Sequence, residues 1–148
     1  MGRAILVGGL VVGTLDALDA VIFFGVRNGA APIRIFQSIA AGVLGRASFQ
    51  GGMRSAILGF ALHYLIAFFI ATAFVVLSRL IPALLDHAIL SGMVYGVAVY
   101  FVMNYIVIPL SATQRGPFVT AVFINGILIH AFGVGLPSAL AARAFMRK

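Results

Sequence analysis

Four long apolar stretches, at residues 4–26, 56–77, 88–110 and 118–142, leave this chain little sequence from which to build anything else. Crossing roughly 30 Å of hydrocarbon takes about 20 helical residues, and each stretch reaches that length. A backbone in hydrocarbon must satisfy its own polar groups, which restricts spanning structures to helices and closed barrels. Runs of this length without strand-like alternation read as helices. The expected fold is an all-α integral membrane four-helix bundle, a single transmembrane domain over residues 1–148. Composition agrees: 63% of the 148 residues are hydrophobic and 9% are charged. A soluble domain of this size needs far more charge to cover its surface.

The ends of the stretches carry the expected punctuation. Ser78-Arg79 and then Pro82 close the second, Asp86-His87 precede the third, and Pro109 closes it. Gly116-Pro117 open the fourth, where a missing N–H costs nothing, and Arg143 closes it. Asp86 at a helix start is expected to cap the third span and favour its dipole. The first stretch lacks an A-x-A site and reads as a span rather than a cleaved leader.

Between the first two spans, Phe36, Ile39, Ala40, Val43 and Ala47 recur at helical spacing, opposed by Arg34, Gln37, Ser38 and Ala41. Arg34 and Arg46 would lie only about 18 Å apart along a helix, too close to span. The segment 33–48 is therefore expected to be an additional interfacial amphipathic helix, with a re-entrant hairpin as the alternative.

Net charge is +7, yet the ten basic residues are scattered between and outside the spans, where cations meet lipid headgroups. That distribution argues for the lipid bilayer as partner and against nucleic acid. With an even number of spans both termini share one side, here side A. Arg3, Arg79, Arg143, Arg147 and Lys148 fall on side A; Arg27, Arg34, Arg46, Arg54 and Arg115 fall on side B. An even division leaves orientation open by the positive-inside rule; the cations at the C-terminus lean side A toward the cytoplasm.

The chain has three acids, and two of them, Asp16 and Asp19, lie within the first span. An intramembrane acid costs a few kcal/mol to insert and marks function by default. Three residues apart on a helix, they project from nearly one face, and two carboxylates that close in low dielectric resist ionising together. At about 1.5 Å of rise per residue from side B, Asp19, His63 and Asn125 come out about 12 Å deep and Asn104 about 10 Å deep. Asp16, Tyr100 and His130 form a second layer at about 16–20 Å. The stripes Gly92–Gly96–Tyr100–Asn104 and Gly59–His63–Ala67–Ala71 put these groups on the packing faces of their helices, where small residues allow close approach. The candidate intramembrane polar site is Asp16, Asp19, His63, Tyr100, Asn104, Asn125 and His130.

Two function classes follow. In one, an Asp/His site moves protons or cations, with His63 level with Asp19 as a pair able to hold a proton near neutral pH. In the other, a non-catalytic membrane subunit or scaffold uses its polar layer to specify helix or partner assembly, as a homo-oligomer or with another membrane protein. Catalytic motifs such as G-x-S-x-G and H-E-x-x-H are missing, so no enzyme is expected. No cofactor is expected either: there is no Cys, and His63 and His130, the only pair placed for haem, differ in depth by about 7 Å.

The strings "GFALHYLIAFFIATAFVVLSRLIP", "LSGMVYGVAVYFVMNYIVIPLSA" and "GILIHAFG" carry a family likeness. With His63 early in the second span, the "SRLIP" exit, Gly92–Gly96 and the "IPL" ending at Leu110, the chain resembles the YagU-like group of uncharacterised bacterial inner-membrane proteins. The likeness runs from Gly59 onward and covers the first span loosely. The short Gly/Ala-rich link after span one and the Asp16/Asp19 pair depart from the group. The resemblance implies a multi-pass protein of the bacterial inner membrane and no assigned biochemistry.

Overall fold

In a computed structural model, which describes residues 1–114 and 116–147, the protein is an all-α bundle of four long apolar helices. Arg115 and Lys148, two of the cations assigned to the membrane flanks, lie outside the described residues. The first span is α1 (Gly2–Asn28) and the second α3 (Gly52–Leu80). After a short α4 (Ala83–Asp86), the third comprises α5 (Ala88–Val102), a π-helical segment (Met103–Val107) and α6 (Ile108–Leu110). The fourth comprises α7 (Thr120–Ile129), a second π-helical segment (His130–Gly135) and α8 (Leu136–Met146). Large apolar side chains such as Ile22, Phe69, Leu90 and Leu128 stand on the outer surface, as lipid-facing residues do. The molecule is a multi-pass membrane protein.

Small residues set how closely the helices pack. A Cβ on Gly96 would collide with the His130 carbonyl, and one on Gly135 with the Gly92 carbonyl, so the third and fourth spans touch backbone to backbone. Toward the termini, Ala4, Phe74, Val75, Leu85, Ala88, Ala139 and Ala142 form a buried cluster that fills side A of the bundle. A second cluster at mid-height joins Val12, Ala67, Val99 and Val134. The second and third spans meet more loosely, bridged by a hydrogen bond of 2.7 Å from the Tyr95 hydroxyl to the Ile70 carbonyl.

Both π segments sit just ahead of a proline, Pro109 in one case and Pro137 in the other. Proline lacks an N–H and its ring presses on the carbonyl four residues earlier, here Tyr105 and Gly133. A wider turn relieves that contact without breaking the helix. Nothing in the hydrophobic pattern announces these turns; the prolines within apolar stretches are their signal.

The segment between the first two spans folds as α2 (Pro32–Leu44), followed by a 3-10 turn (Gly45–Gln50). Gly29 and Gly45, with φ of 67° and 59°, make the left-handed turns that lead into and out of it. Joined to the side B ends of α1 and α3, α2 packs along α3, with Phe36 against Gly59 and His63. Gly59 of α3 has no room for a Cβ beneath the Phe36 carbonyl. The facing of α2 corrects the sequence expectation. Gln37 and Ala41, placed on the outer face, are buried, while Val43 and Ala47 are exposed. Gln37 turns inward because partners await it: its Nε2 donates to the Gly52 carbonyl at 3.0 Å and to Ser55 Oγ at 3.4 Å. Ser48 Oγ donates to the Gln37 carbonyl, and Ser55 Oγ to the Ser48 carbonyl, each at 2.6 Å.

A second correction concerns Asp86. The third span starts from His87 with no side-chain cap, and Asp86 instead forms an exposed ion pair of 3.0 Å with Arg147.

Candidate functional site

The seven polar residues singled out in the sequence divide into three groups. In the first, α1 crosses α3 so closely at Gly13 that the His63 ring reaches its backbone. His63 Nε2 lies 2.7 Å from the Gly13 carbonyl. A carbonyl only accepts, so Nε2 carries the hydrogen and Nδ1 of the neutral ring holds the lone pair. Nδ1 in turn faces Asp16 Oδ2 at 3.9 Å. His63 therefore pairs with Asp16, one turn away from the expected partner Asp19.

Asp19 makes the second group. Its Oδ2 accepts a hydrogen bond of 2.7 Å from Asn125 Nδ2, which ties the first span to the fourth. Equal depth had put Asn125 in one layer with Asp19, but had offered His63 as the partner of Asp19.

The third group gathers at the π segments. Tyr100 is buried and packs its ring against His130 at 5.3 Å between centroids, with Gly126 beneath it. His130 Nδ1 donates to the Gly126 carbonyl at 2.9 Å, leaving Nε2 as proton acceptor. Asn104 Nδ2 donates to the Tyr100 carbonyl at 3.0 Å, within its own helix. Both histidines thus spend their one N–H on a backbone carbonyl.

Asp16, His63, Asn104 and His130 share a further property. All four line an open cavity of about 540 Å³ between α1, α2, α3 and the two π segments. Ligand-binding cavities commonly measure about 300–1,000 Å³. Its inner end rests on Val12, Ala67 and Val134 of the mid-height cluster, and Arg34, Phe36 and Ile39 of α2 stand at its side B end. Most of the remaining wall is apolar. Asp19 and Asn125 do not line the cavity and form a contact between helices, whereas Tyr100 lines, with Asn104, a separate space of about 490 Å³. Among the described residues no three His, Asp or Glu side chains gather as a metal site would require.

Arg34 is the functional-site residue that sequence reasoning passed over. Treated as the solvated face of a surface helix, it instead borders the cavity, because α2 is docked rather than lying free. Its Nη1 donates to the Phe49 carbonyl at 3.2 Å, and its guanidinium stacks 4.7 Å from the Phe49 ring centroid. Compared with known proteins, the chain matches no family model, no curated protein and no solved structure.

Proposed function

We propose that the protein moves protons, or a small cation in their place, across the bacterial inner membrane through a site formed by Asp16 and His63. The observation that carries this reading is the 3.9 Å approach of an accepting imidazole nitrogen to a carboxyl oxygen on the wall of an intramembrane cavity. A proton arriving from the cavity can rest on His63 Nδ1, giving imidazolium beside carboxylate, or on Asp16, giving carboxylic acid beside imidazole. Intramembrane acids and histidines serve such relays widely. The cavity reaches toward side B and stops at the packed side A, so transport requires a second state in which the side A contacts separate. The placement in the inner membrane follows the resemblance to the YagU-like group.

The test is proton flux into proteoliposomes loaded with a pH-sensitive dye. Asp16→Asn and His63→Gln are each expected to slow flux by about a hundredfold, the scale on which positioned proton-transfer groups act. Asp19→Asn should have little effect, because Asp19 is engaged with Asn125. Undiminished flux in the double variant D16N/D19N overturns the reading.

A second reading, as a membrane subunit or scaffold, draws on the Asp19–Asn125 bond, which uses intramembrane polarity for assembly alone. A stoichiometric protein partner that co-purifies, and that D16N/D19N does not release, favours it.

A further inference from the structure

The cavity is not closed toward lipid. Ile66, Ile70 and Met103 line it and also line a second, wholly apolar groove of about 400 Å³ that runs along the outer seam between the second and third spans. In a bilayer that seam faces acyl chains, and a space walled by isoleucine, valine and phenylalanine offers water no partners. At the other end of the cavity stands Arg34, its guanidinium held against Phe49. Among the described residues Arg34 is the only arginine or lysine that lines the cavity, and no carboxylate pairs with it. A fixed guanidinium at one end and an apolar passage to lipid at the other match one class of molecule.

We infer that the cavity binds a single-chain amphiphile with an anionic headgroup, its head on Arg34 and its chain running past Ile66 and Met103 toward the seam. Guanidinium recognises carboxylate and phosphate alike through paired N–H donors, so a fatty acid and a lysophospholipid both satisfy the chemistry. The amphiphile would share the cavity with Asp16 and His63, but its recognition rests on Arg34 and the seam, whereas proton movement rests on Asp16 and His63.

Native mass spectrometry of the full chain released from detergent, with palmitate, palmitoyl-lysophosphatidylglycerol or hexadecanol added, tests the inference and separates the two headgroups. One bound molecule per chain is expected for at least one anionic probe, with hexadecanol binding about tenfold more weakly, as loss of a charge-assisted hydrogen bond implies. Arg34→Gln should weaken the anionic probe by about the same factor, and Arg54→Gln, on side B but away from the cavity, should not. Ile66→Trp, which fills the seam, should reduce binding of all three probes. D16N/H63Q should still bind the anionic probe, whatever becomes of its proton flux. Equal binding of hexadecanol and the anions, or binding by R34Q and I66W equal to that of the unmodified chain, overturns the inference.

Discussion

Toward the chain termini, Gly92 and Gly135 bring the third and fourth spans into backbone contact and Ala88, Ala139 and Ala142 fill what remains. Toward α2, the same helices spread around a cavity of about 540 Å³, and hydrogen bonds join the elements there beside the close α2–α3 contact at Gly59. Gln37, Ser48 and Ser55 fasten α2 to α3, the Ala112 N–H donates to the Gly42 carbonyl, and Arg46 Nε donates to Gln114 Oε1. The difference teaches how a chain with so few polar residues distributes them. Packing of small residues needs no polar atoms and leaves no space, so it suits the end that must stay shut. Hydrogen bonds and the Gly59 contact fix α2 on α3 alone, which leaves a chamber between that pair and the other spans. A site with access from one side follows from that asymmetry.

If the division is right, equal insults to the two ends have unequal consequences. The largest effect is expected for Gly92→Leu. A Cβ there would already sit 2.8 Å from the Ala139 Cβ and 2.9 Å from the Gly135 carbonyl oxygen, so a leucine forces the third and fourth spans apart. Thermal or SDS unfolding in detergent should register a loss of about 3 kcal/mol, the upper range for overpacking. An unfolding curve like that of the unmodified chain would show that side A is not tightly packed. Next comes Gln37→Leu, which removes the donor to Gly52 and Ser55 from a fully enclosed position. The Gly52 carbonyl keeps Ser55 Oγ as a donor, and the unpartnered Gln37 Oε1 leaves with the side chain. The expected cost is therefore about 1 kcal/mol, the net worth of a hydrogen bond. It should appear as faster hydrogen exchange confined to α2 and the start of α3, leaving side A protected. Uniformly faster exchange would mean that α2 and the bundle open together.

How much of this was legible in the sequence depends on whether the controlling physics is local. The four spans were, because length and hydropathy are local. The second helix nonetheless runs on from 77 through Ser78 and Arg79 to Leu80, since helices continue where hydropathy stops. The shared depth of Asp19 and Asn125 was legible, because rise per residue fixes depth on two helices at once. Their pairing was not, since depth alone offered His63 equally. The pairing of His63 with Asp16 was not, because depth says nothing about the rotation of one helix against another, and a single turn decided the partner. The inward turn of Gln37 was hidden for a similar reason: its partner Ser55 lies 18 residues on and becomes adjacent only when α2 docks. The cavity itself is missing from any sequence pattern, since it is the space that the π segments and α2 leave unfilled.

Smaller effects sharpen the same contrast. Ala17→Leu adds three carbons to the cavity wall, one fewer than Gly92→Leu adds to side A. Here the extra methylenes meet open space, and stability should change by no more than about 1 kcal/mol in either direction. A loss as large as that of Gly92→Leu would show the cavity to be filled by side chains in the folded protein.

The last comparison weighs a hydrogen bond between spans against those that hold α2. Asn125→Ala removes the donor to Asp19 and ends the one hydrogen bond described between the first and fourth spans at that depth. Interhelical hydrogen bonds in membranes contribute about 0.6 kcal/mol on average, because the separated helices also find partners. The expected loss on unfolding is therefore about 0.6 kcal/mol, below that of Gln37→Leu, although the Asp19 bond at 2.7 Å is the shorter of the two. A loss of about 2 kcal/mol or more would mean that Asp19 has no access to a substitute partner and that the first and fourth spans depend on this bond. The polar layer would then act in assembly, and the open end of the bundle would be held as firmly as the packed one.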